Sequence, residues 1–292
     1  MKTCLRLLIV VGIALTSCRG NAPPDSPRQF PGVAEQNVTF YSRSLARNMT
    51  YRVYLPAANS DAAHKLPVVY LLHGGGGDYR EWSIYSNAGQ YAAHGLILVM
   101  PEGALSYWVN AAMSPKDRYG DYLTTDLIHD VEDRFPAIPD RSGRGVIGIS
   151  MGGYASIRLA LTRPELFLFA GAISPAIHIP TLRFSWHRFW QSVRLRRVFG
   201  PDGSSSRRAA DVFSMVEANA PATTPFLYLT AGDHDPMVDR IRRFAELLQK
   251  RGYAYEFHEM PGGHDWNEWN AQIPGCFGKA DGTLMTEPVP HL

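Results

Sequence analysis

Hydrophobic and polar residues alternate near the start of the chain and then give way to short apolar runs. The segment NVTFYSRSLARNMTYRVYLP, which begins at Asn37, alternates around a polar centre and predicts an antiparallel hairpin. Nearly continuous apolar runs are typical of strands buried on both faces of a parallel sheet. Such runs, or shorter strand-like patterns, predict strands at residues 66–72, 96–100, 145–149, 166–174, 226–230 and 253–260.

Helix-length patterns lie between and after these predicted strands, at residues 80–94, 119–135, 151–163 and 238–252. Alternating strands and helices predict an α/β fold with a mostly parallel central sheet and helices on both faces. Residues 176–224 break the alternation, being first aromatic and basic and then polar. They are a candidate cap over a site, with an ordinary surface excursion packed on the sheet as the alternative.

The first residues have the pattern of a signal peptide, because two basic residues precede an apolar run that is too short to span a bilayer. The run ends in LTSC, which resembles a bacterial lipobox. We therefore expect a lipoprotein signal peptide at residues 1–17, a lipidated Cys18, a flexible tether at residues 18–36 and a domain at residues 37–292. An ordinary signal peptide with a chance cysteine is the alternative. Either reading predicts a location outside the cytoplasm, at the cell envelope (periplasm or outer membrane) or secreted.

Charge and cysteine content narrow the classes of partner. Removing residues 1–17 takes away two basic residues and no acidic one, which leaves 27 of each sign. Such a balance disfavours nucleic acid or an anionic lipid surface as the main partner, so we expect membrane contact only through the lipid anchor.

Outside Cys4 and Cys18 the single remaining cysteine, Cys276, cannot build a disulfide framework or a cysteine-based metal site. We expect neither a metal nor a cofactor.

The motif GISMGG, at residues 148–153, matches G-x-S-x-G between a predicted strand and a predicted helix. In that context Ser150 lies on a tight turn with its hydroxyl above the edge of the sheet, and the glycines avoid clashes with the neighbouring elements. A serine hydroxyl needs a base and a third group that orients the base. Ser150 is therefore a candidate nucleophile.

Two later loops supply the candidate base and acid. AGDHDPMVD follows one predicted strand and PGGHDWNEW follows the last, which places Asp235 and His264 at the carboxyl ends of strands, where open α/β sheets carry their sites. His258 is the other candidate base, although it lies inside a predicted strand. Asp233 is the alternative acid, whereas Asp239 opens the next helix and would serve its N-terminus.

The segment LLHGGGGD, at residues 71–78, directly follows a predicted buried strand. Its glycines allow backbone N–H groups to approach a developing oxyanion, so we expect donors from Gly75 and from Met151, the residue after the serine. No Gly-Lys-Ser/Thr follows, which disfavours a phosphate-binding loop. His73 is expected to hold the loop in place.

These motifs, together with LPVVYLLHGGGGD, PEGALSYWVN, RYGDYLTTDLIHDVEDRF and MPGGHDWNEW, resemble the esterase D-like family of α/β-hydrolases. That family includes S-formylglutathione hydrolases, feruloyl and acetylxylan esterases, enterochelin esterases and mycolyltransferases. The resemblance covers most of residues 37–270. It implies an α/β-hydrolase fold, the roles given above to the serine, acid, base and amide donors, and substrate walls at Trp108 and Trp266, for which core packing is the alternative.

The function that follows is hydrolysis of a carboxylic ester of a small molecule or carbohydrate through an acyl-enzyme on Ser150. One alternative is an acyltransferase with a sugar or lipid acceptor, because the same three side chains serve both reactions. Another is a non-catalytic surface lipoprotein that binds a ligand, since a fold does not fix a function. The sequence predicts no particular oligomeric state.

Overall fold

A computed structural model describes residues 24–57 and 65–284. The predicted signal peptide at residues 1–17 and the predicted lipidation site at Cys18 lie outside the described residues. Both stay predictions.

Eight strands of the described residues form one sheet in the order β1-β2-β4-β3-β5-β6-β7-β8. The hairpin of β1 and β2 is antiparallel, β2 pairs with β4 antiparallel, and the other neighbours are parallel. The predicted mostly parallel sheet is confirmed. The strands are β1 (Val33–Ser42), β2 (Arg47–Pro56), β3 (Val68–Leu72), β4 (Ile97–Pro101), β5 (Arg144–Ile149), β6 (Phe169–Ile173), β7 (Phe226–Gly232) and β8 (Tyr255–Met260).

Helices cover both faces of this sheet. The α-helices are α1 (Glu81–Tyr85), α2 (Tyr119–Asp121), α3 (Leu127–Arg134), α4 (Met151–Thr162), α5 (Phe189–Phe199), α6 (Ser205–Ala209), α7 (Val212–Ala218), α8 (Val238–Arg251) and α9 (Trp266–Leu284). A π-helical turn, Tyr122–Asp126, joins α2 to α3. Short 3₁₀ segments lie at Ala88–His94, Arg141–Gly143, Ile179–Thr181, Trp186–Arg188 and Pro221–Thr223. None of the helices in the described residues is long and apolar enough to cross a bilayer.

The central strands are apolar throughout because both of their faces are buried. On β3, Val68, Tyr70 and Leu72 pack into one hydrophobic core, whereas Val69 and Leu71 pack into a second core on the opposite face. Each strand therefore contributes side chains to both layers of helices. This explains why the sequence shows continuous apolar runs and no alternation at these positions.

Two helical regions differ from the sequence pattern. The predicted helix at residues 80–94 is split, because the Ser86 hydroxyl donates to Trp82 O and accepts from the Ala88 N–H, which ends α1. The pattern of residues 266–284 does not predict a helix, since Pro274 and neighbouring glycines interrupt it. Helix α9 nevertheless forms there, and its buried side chains fill the second core.

Residues 18–23 of the predicted tether lie outside the described residues, and residues 24–36 do not form a tether. Strand β1 begins at Val33, and residues from Pro24 onward run along the domain. Phe30 packs edge-on against Tyr54, with ring centroids 6.1 Å apart. The buried Arg52 guanidinium binds the Asp25 carboxylate at 2.8 Å. Because a buried cation needs a partner, residues 24–36 belong to the folded domain.

The candidate cap at residues 176–224 is a helical insertion between β6 and β7. Its second half is an ordinary part of the fold, because α7 packs against α4 and α8, and Val212 and Val216 are fully buried. Its first half exposes several large apolar side chains. The second half therefore matches the alternative of an excursion packed on the sheet, and a cap over the site stays a prediction for the first half.

Replacing Gly171 on β6 by alanine should destabilise the protein, because the new Cβ would lie 2.5 Å from Cys276 Sγ on α9. We expect a loss of about 1–3 kcal/mol in the free energy of unfolding, measured by urea denaturation. Gly278→Ala on the same helix is the matched control, since nothing lies within 4 Å of its Cβ position. It should stabilise by about 0.4–1 kcal/mol. Equal stability of the two variants would contradict this packing of α9.

Candidate active site

The turn between β5 and α4 places Ser150 in a backbone conformation that side chains seldom adopt, with φ 51° and ψ −108°. Glycines make this turn possible. A Cβ on Gly148 would overlap the backbone of Gly152, and a Cβ on Gly152 would overlap the carbonyl of Leu72 on β3. Close backbone packing therefore holds the strained turn and presents the Ser150 hydroxyl at the carboxyl edge of the sheet.

Three side chains that are distant along the chain meet at this edge. His264 Nε2 lies 3.0 Å from Ser150 Oγ, and His264 Nδ1 lies 2.8 Å from Asp235 Oδ2. A carboxylate can only accept, so Nδ1–H donates to Asp235 and Nε2 is left to accept from the serine hydroxyl. The structure thus brings together the three residues that the sequence selects.

The Asp235 carboxylate is held in one orientation. Its side chain is 0% exposed, whereas that of His264 is 27% exposed. Its second oxygen, Oδ1, accepts from the Met237 N–H at 2.8 Å. With both oxygens bonded, the carboxylate fixes the imidazole ring while the ring keeps an edge open to the cavity.

The alternative residues have other contacts. Asp233 accepts from the Gly262 N–H at 3.0 Å, which lowers the pKa of its exposed carboxyl, and contacts His234 Nδ1 at 2.6 Å. Asp233 therefore joins the loops after β7 and β8 and does not bind His264. His258 is exposed on β8 and stacks on Tyr228. Asp239 pairs with Arg242 at 2.6 Å on α8.

The glycine-rich loop after β3 is braced from two sides. His73 is buried, with Nδ1 2.7 Å from Gly74 O and with Nε2 accepting from the Gly103 N–H at 2.9 Å. Glu81 on α1 accepts from the Gly74 N–H at 2.8 Å, and burial raises the pKa of its carboxyl. His73 holds the loop, as expected. Glu81 has no signal in the sequence pattern, because its partner is a backbone group.

Two residues whose backbone N–H groups lack a protein acceptor among the described residues line the same cavity as Ser150. Gly75 and Met151 both line it. Within residues 24–57 and 65–284, neither N–H donates to a protein acceptor. Met151 begins α4, where the first N–H groups of a helix have no intrahelical partner. These two amides are free to bind an oxygen atom in the cavity.

The cavity above the serine measures about 580 Å³. Besides the predicted residues, its walls include Tyr107, His178, Ile179, Arg240 and Arg243, none of which the sequence pattern selects. Burial and the nearby Arg240 charge lower the pKa of His178. Neither arginine pairs with a carboxylate in the part of the chain that the structure describes. The site therefore joins apolar walls to a basic rim.

Comparison with known proteins identifies the family. Residues 42–280 match the model of the family described as "Putative esterase". The chain belongs to this esterase family. It is a carboxylic ester hydrolase with the α/β-hydrolase fold, and the resemblance inferred from the motifs is confirmed.

Individual relatives agree with this assignment. This esterase is 27% identical to an acetyl esterase of Caldicellulosiruptor saccharolyticus, over 84% of this chain and 97% of the relative. It is 24% identical to a diacylglycerol acyltransferase/mycolyltransferase of Mycobacterium gordonae, over 97% of this chain and 92% of the relative. Among solved structures, the substrate-bound fluorophosphonate-binding serine hydrolase F of Staphylococcus aureus superposes with a TM-score of 0.73 at 25% identity, covering 87% and 99% of the two chains.

Trp108 does not line the cavity, which corrects its predicted role as a substrate wall. The side chain is fully buried, and its ring lies 5.0 Å from that of His73. The reason is local backbone geometry, since Tyr107 and Trp108 both have positive φ, at 54° and 58°. This turn directs Tyr107 to the cavity and Trp108 to the core, so core packing is the observed role of the tryptophan.

Trp266 also differs from the prediction. It does not line the cavity, and its ring packs edge-on to those of Trp82 and Trp269 and stacks on that of Tyr85. Trp266 thus connects α9 to α1 behind the site. Trp266 therefore supports the site by packing α9 against α1, without contacting the cavity.

Glu268 on α9 is a buried carboxyl that sequence reasoning misses. It lies under the loop that carries His264, because a Cβ on Gly262 would meet Glu268 Cγ at 2.5 Å. Burial, and then the negative charges of Asp235 and Asp265, raise its pKa to about 8. Its Oε1 has no hydrogen-bond partner among the described residues. A pKa in this range favours the protonated, uncharged form of the carboxyl at neutral pH.

No group of three or more His, Cys, Asp or Glu side chains in the described residues is arranged to hold a metal ion. The thiol of Cys276 is fully buried under the sheet, and burial raises its pKa. It does not reach the cavity.

The raised pKa of Glu268 makes stability depend on pH. Between about pH 4.5 and pH 8 the unfolded chain releases this proton while the folded protein keeps it, so the free energy of unfolding falls as pH rises through that window. Glu268→Gln has no proton to release. From pH 5 to pH 8.5 we expect wild type to lose at least about 1 kcal/mol more than the variant, measured by urea denaturation, because one pKa unit corresponds to about 1.4 kcal/mol. Parallel pH profiles would contradict the buried acid.

Proposed function

We propose that this esterase cleaves its substrate through an acyl-enzyme on Ser150, with His264 as general base and Asp235 as the acid that orients it. The observation that supports the proposal is the continuous chain of hydrogen bonds from Asp235 through His264 to Ser150, at 2.8 and 3.0 Å. A binding protein has no need for such a chain. The order of the groups, with a buried carboxylate at one end, the imidazole in the middle and an accessible hydroxyl at the other end, is that of a serine hydrolase.

In the first half of the reaction, Ser150 Oγ attacks the ester carbonyl carbon and its proton passes to Nε2 of His264. The carbonyl oxygen then carries the negative charge. As the intermediate collapses, the bond to the alcohol breaks and the proton on Nε2 moves to the departing oxygen. In the second half a water molecule attacks in the same way, which releases the carboxylic acid and restores the serine. The Asp235 carboxylate stabilises the imidazolium in both halves.

The developing oxyanion would be bound by the N–H groups of Gly75 and Met151. Both residues face the cavity, and both N–H groups lack another acceptor in the described residues. Each donor of this kind contributes on the order of 3 kcal/mol of transition-state stabilisation. His73 and Glu81 keep the glycine-rich loop in the position that this contact requires.

The substrate is proposed to be a small-molecule or carbohydrate ester. A cavity of about 580 Å³ is in the range of sites for small ligands. The acetyl esterase among the relatives acts, by its name, on acetyl esters. Every step above uses only groups of this chain and water.

Acyl transfer is the second candidate, because the mycolyltransferase relative is similar along nearly the whole chain. A sugar or lipid hydroxyl would replace water in the second half of the reaction. Incubating an ester with and without candidate alcohols separates the two reactions. Free acid alone indicates hydrolysis, and a new ester indicates transfer.

Ser150→Ala should reduce hydrolysis of p-nitrophenyl acetate or butyrate by at least about 10³-fold, because it removes the nucleophile. Circular dichroism and the urea midpoint should stay close to those of wild type. Unchanged turnover would remove Ser150 from the mechanism and leave ligand binding without catalysis as the better account.

Two aspartates two positions apart provide the matched control. Asp235→Asn should lower kcat by at least about 10²-fold, because an amide no longer selects the Nδ1–H form of His264. Asp233→Asn should lower it less than about tenfold, since Asp233 contacts the loop and not the imidazole. The reverse order would assign the acid to Asp233.

We also propose that the protein is a lipoprotein anchored through Cys18 outside the cytoplasm, on the basis of LTSC at the end of the predicted signal peptide. Radiolabelled palmitate should enter wild type and the Cys4→Ala control but not Cys18→Ala. Equal labelling of all three proteins would count against the anchor.

A further inference from the structure

Five large apolar side chains lie exposed on the first half of the insertion between β6 and β7. They are called the aromatic face and comprise Phe184, Trp186, Phe189, Trp190 and Val193. Trp186 is 79% exposed and Trp190 is 74% exposed. Scattered apolar residues on a surface need no explanation, but a contiguous group of this size marks an interaction site.

The members of the aromatic face contact one another. Trp186 and Phe189 stack, with ring centroids 5.9 Å apart and planes 7° apart. Phe184 packs edge-on against Trp186 at 5.1 Å, and Trp190 packs edge-on against Phe189 at 5.2 Å. The rings therefore form one continuous apolar surface. It projects from α5 and the preceding 3₁₀ turn, outside the cavity that holds Ser150.

The same segment has a strong positive charge. Residues 182–200 contain five arginines and no acidic residue. Arg197 pairs with Asp117 at 2.7 Å. The other four, Arg183, Arg188, Arg194 and Arg196, have no carboxylate partner in the described residues. The balanced charge of the whole chain hides this local excess, and this segment can attract an anionic lipid surface even though the chain as a whole carries no net charge.

We propose that the aromatic face docks on a bilayer that contains anionic phospholipids. Tryptophan and phenylalanine insert favourably at the boundary between lipid head groups and acyl chains. Arginines beside them bind head-group phosphates, each contributing about 1 kcal/mol near an anionic surface. A single partner then accounts for both the apolar rings and the unpaired cations.

Other partners fit less well. A second copy of the chain in a two-fold contact would bring two sets of unpaired arginines against each other, and like charges repel. A neutral polysaccharide would stack on the rings but leave the arginines unused. A single-stranded nucleic acid would contact both the rings and the arginines. Proteins bind such strands in a positively charged groove, however, whereas these rings project outward.

Docking on the aromatic face would hold the cavity close to the lipid surface. His178 and Ile179, which line the cavity, precede the aromatic face in the same insertion. Arg188 lies close enough to His178 to lower the pKa of that imidazole. The inference does not depend on the proposed chemistry at Ser150.

Tryptophan quenching tests the proposal in the full chain. Vesicles are prepared from phosphatidylcholine with brominated acyl chains, with and without phosphatidylglycerol. We expect the wild-type fluorescence to be quenched in the anionic vesicles and to recover when salt is added. Trp186→Phe/Trp190→Phe should lose the quenching, because the other tryptophans lie outside the aromatic face. Quenching that persists in this variant would overturn the proposal.

A charge variant tests the role of the arginines while keeping Trp186 and Trp190, whose fluorescence reports the contact with lipid. Replacing Arg183, Arg188, Arg194 and Arg196 by glutamine should reduce quenching in anionic vesicles to the level found in zwitterionic ones. The matched control changes the same amount of charge elsewhere, at Arg43, Arg134, Lys250 and Arg251, and should be quenched like wild type. All variants share the same N-terminus, so an N-terminal anchor affects them equally. Hydrolysis of a soluble ester should be unchanged in Trp186→Phe/Trp190→Phe and in the control charge variant, which separates this test from that of the active site.

The alternative partners give different results. Equal quenching of the two charge variants would overturn electrostatic docking. Sedimentation of a dimer without lipid, abolished by Trp186→Phe/Trp190→Phe, would assign the aromatic face to self-association. A fluorescence change with a single-stranded oligonucleotide but none with anionic vesicles would assign it to nucleic acid. Each of these outcomes would replace the bilayer as the partner.

Discussion

The site depends on backbone atoms of β3, β5 and α4 lying closer together than any side chain allows. The absence of a Cβ at Gly148 and Gly152 lets the chain turn sharply at Ser150, and that turn fixes two things at once. It aims the serine hydroxyl out of the sheet, and it starts α4 at Met151, which lines the same cavity. The proposed nucleophile and the proposed amide donor are thus positioned by one packing contact.

A second close approach positions the other two groups. Strands β7 and β8 run parallel, so their following loops leave the same edge, and Gly232 allows the backbone of Gly262 to pack against it. Asp233 accepts from the Gly262 N–H across this contact, and Asp235 binds His264. Burial and the charge of Asp235 raise the pKa of Glu268 below the loop, which disfavours a second negative charge beside the Asp235 carboxylate.

The sequence predicts the sheet, the turn and the three bonded side chains because each has a local signal, in apolar runs, glycines or loop position. Features set by distant contacts are not visible in it. Two consecutive positive φ angles decide that Tyr107 and not Trp108 reaches the cavity. Burial against the sheet, and not helix propensity, makes α9 helical despite Pro274. The aromatic segment of the insertion is obvious in the sequence, but only the structure shows that its rings face solvent.

The ion pairs of Arg52 determine where the folded unit starts. Its guanidinium is inaccessible to water, and both carboxylates that neutralise it, Asp25 and Glu35, precede the first residue of the alternating pattern at Asn37. A shortened protein beginning at Asn37 would lose the first four residues of β1 and both counter-ions of the Arg52 guanidinium, and a buried cation that loses its partners costs several kcal/mol. The proline-rich stretch that looks dispensable in the sequence is thus part of the minimal stable polypeptide.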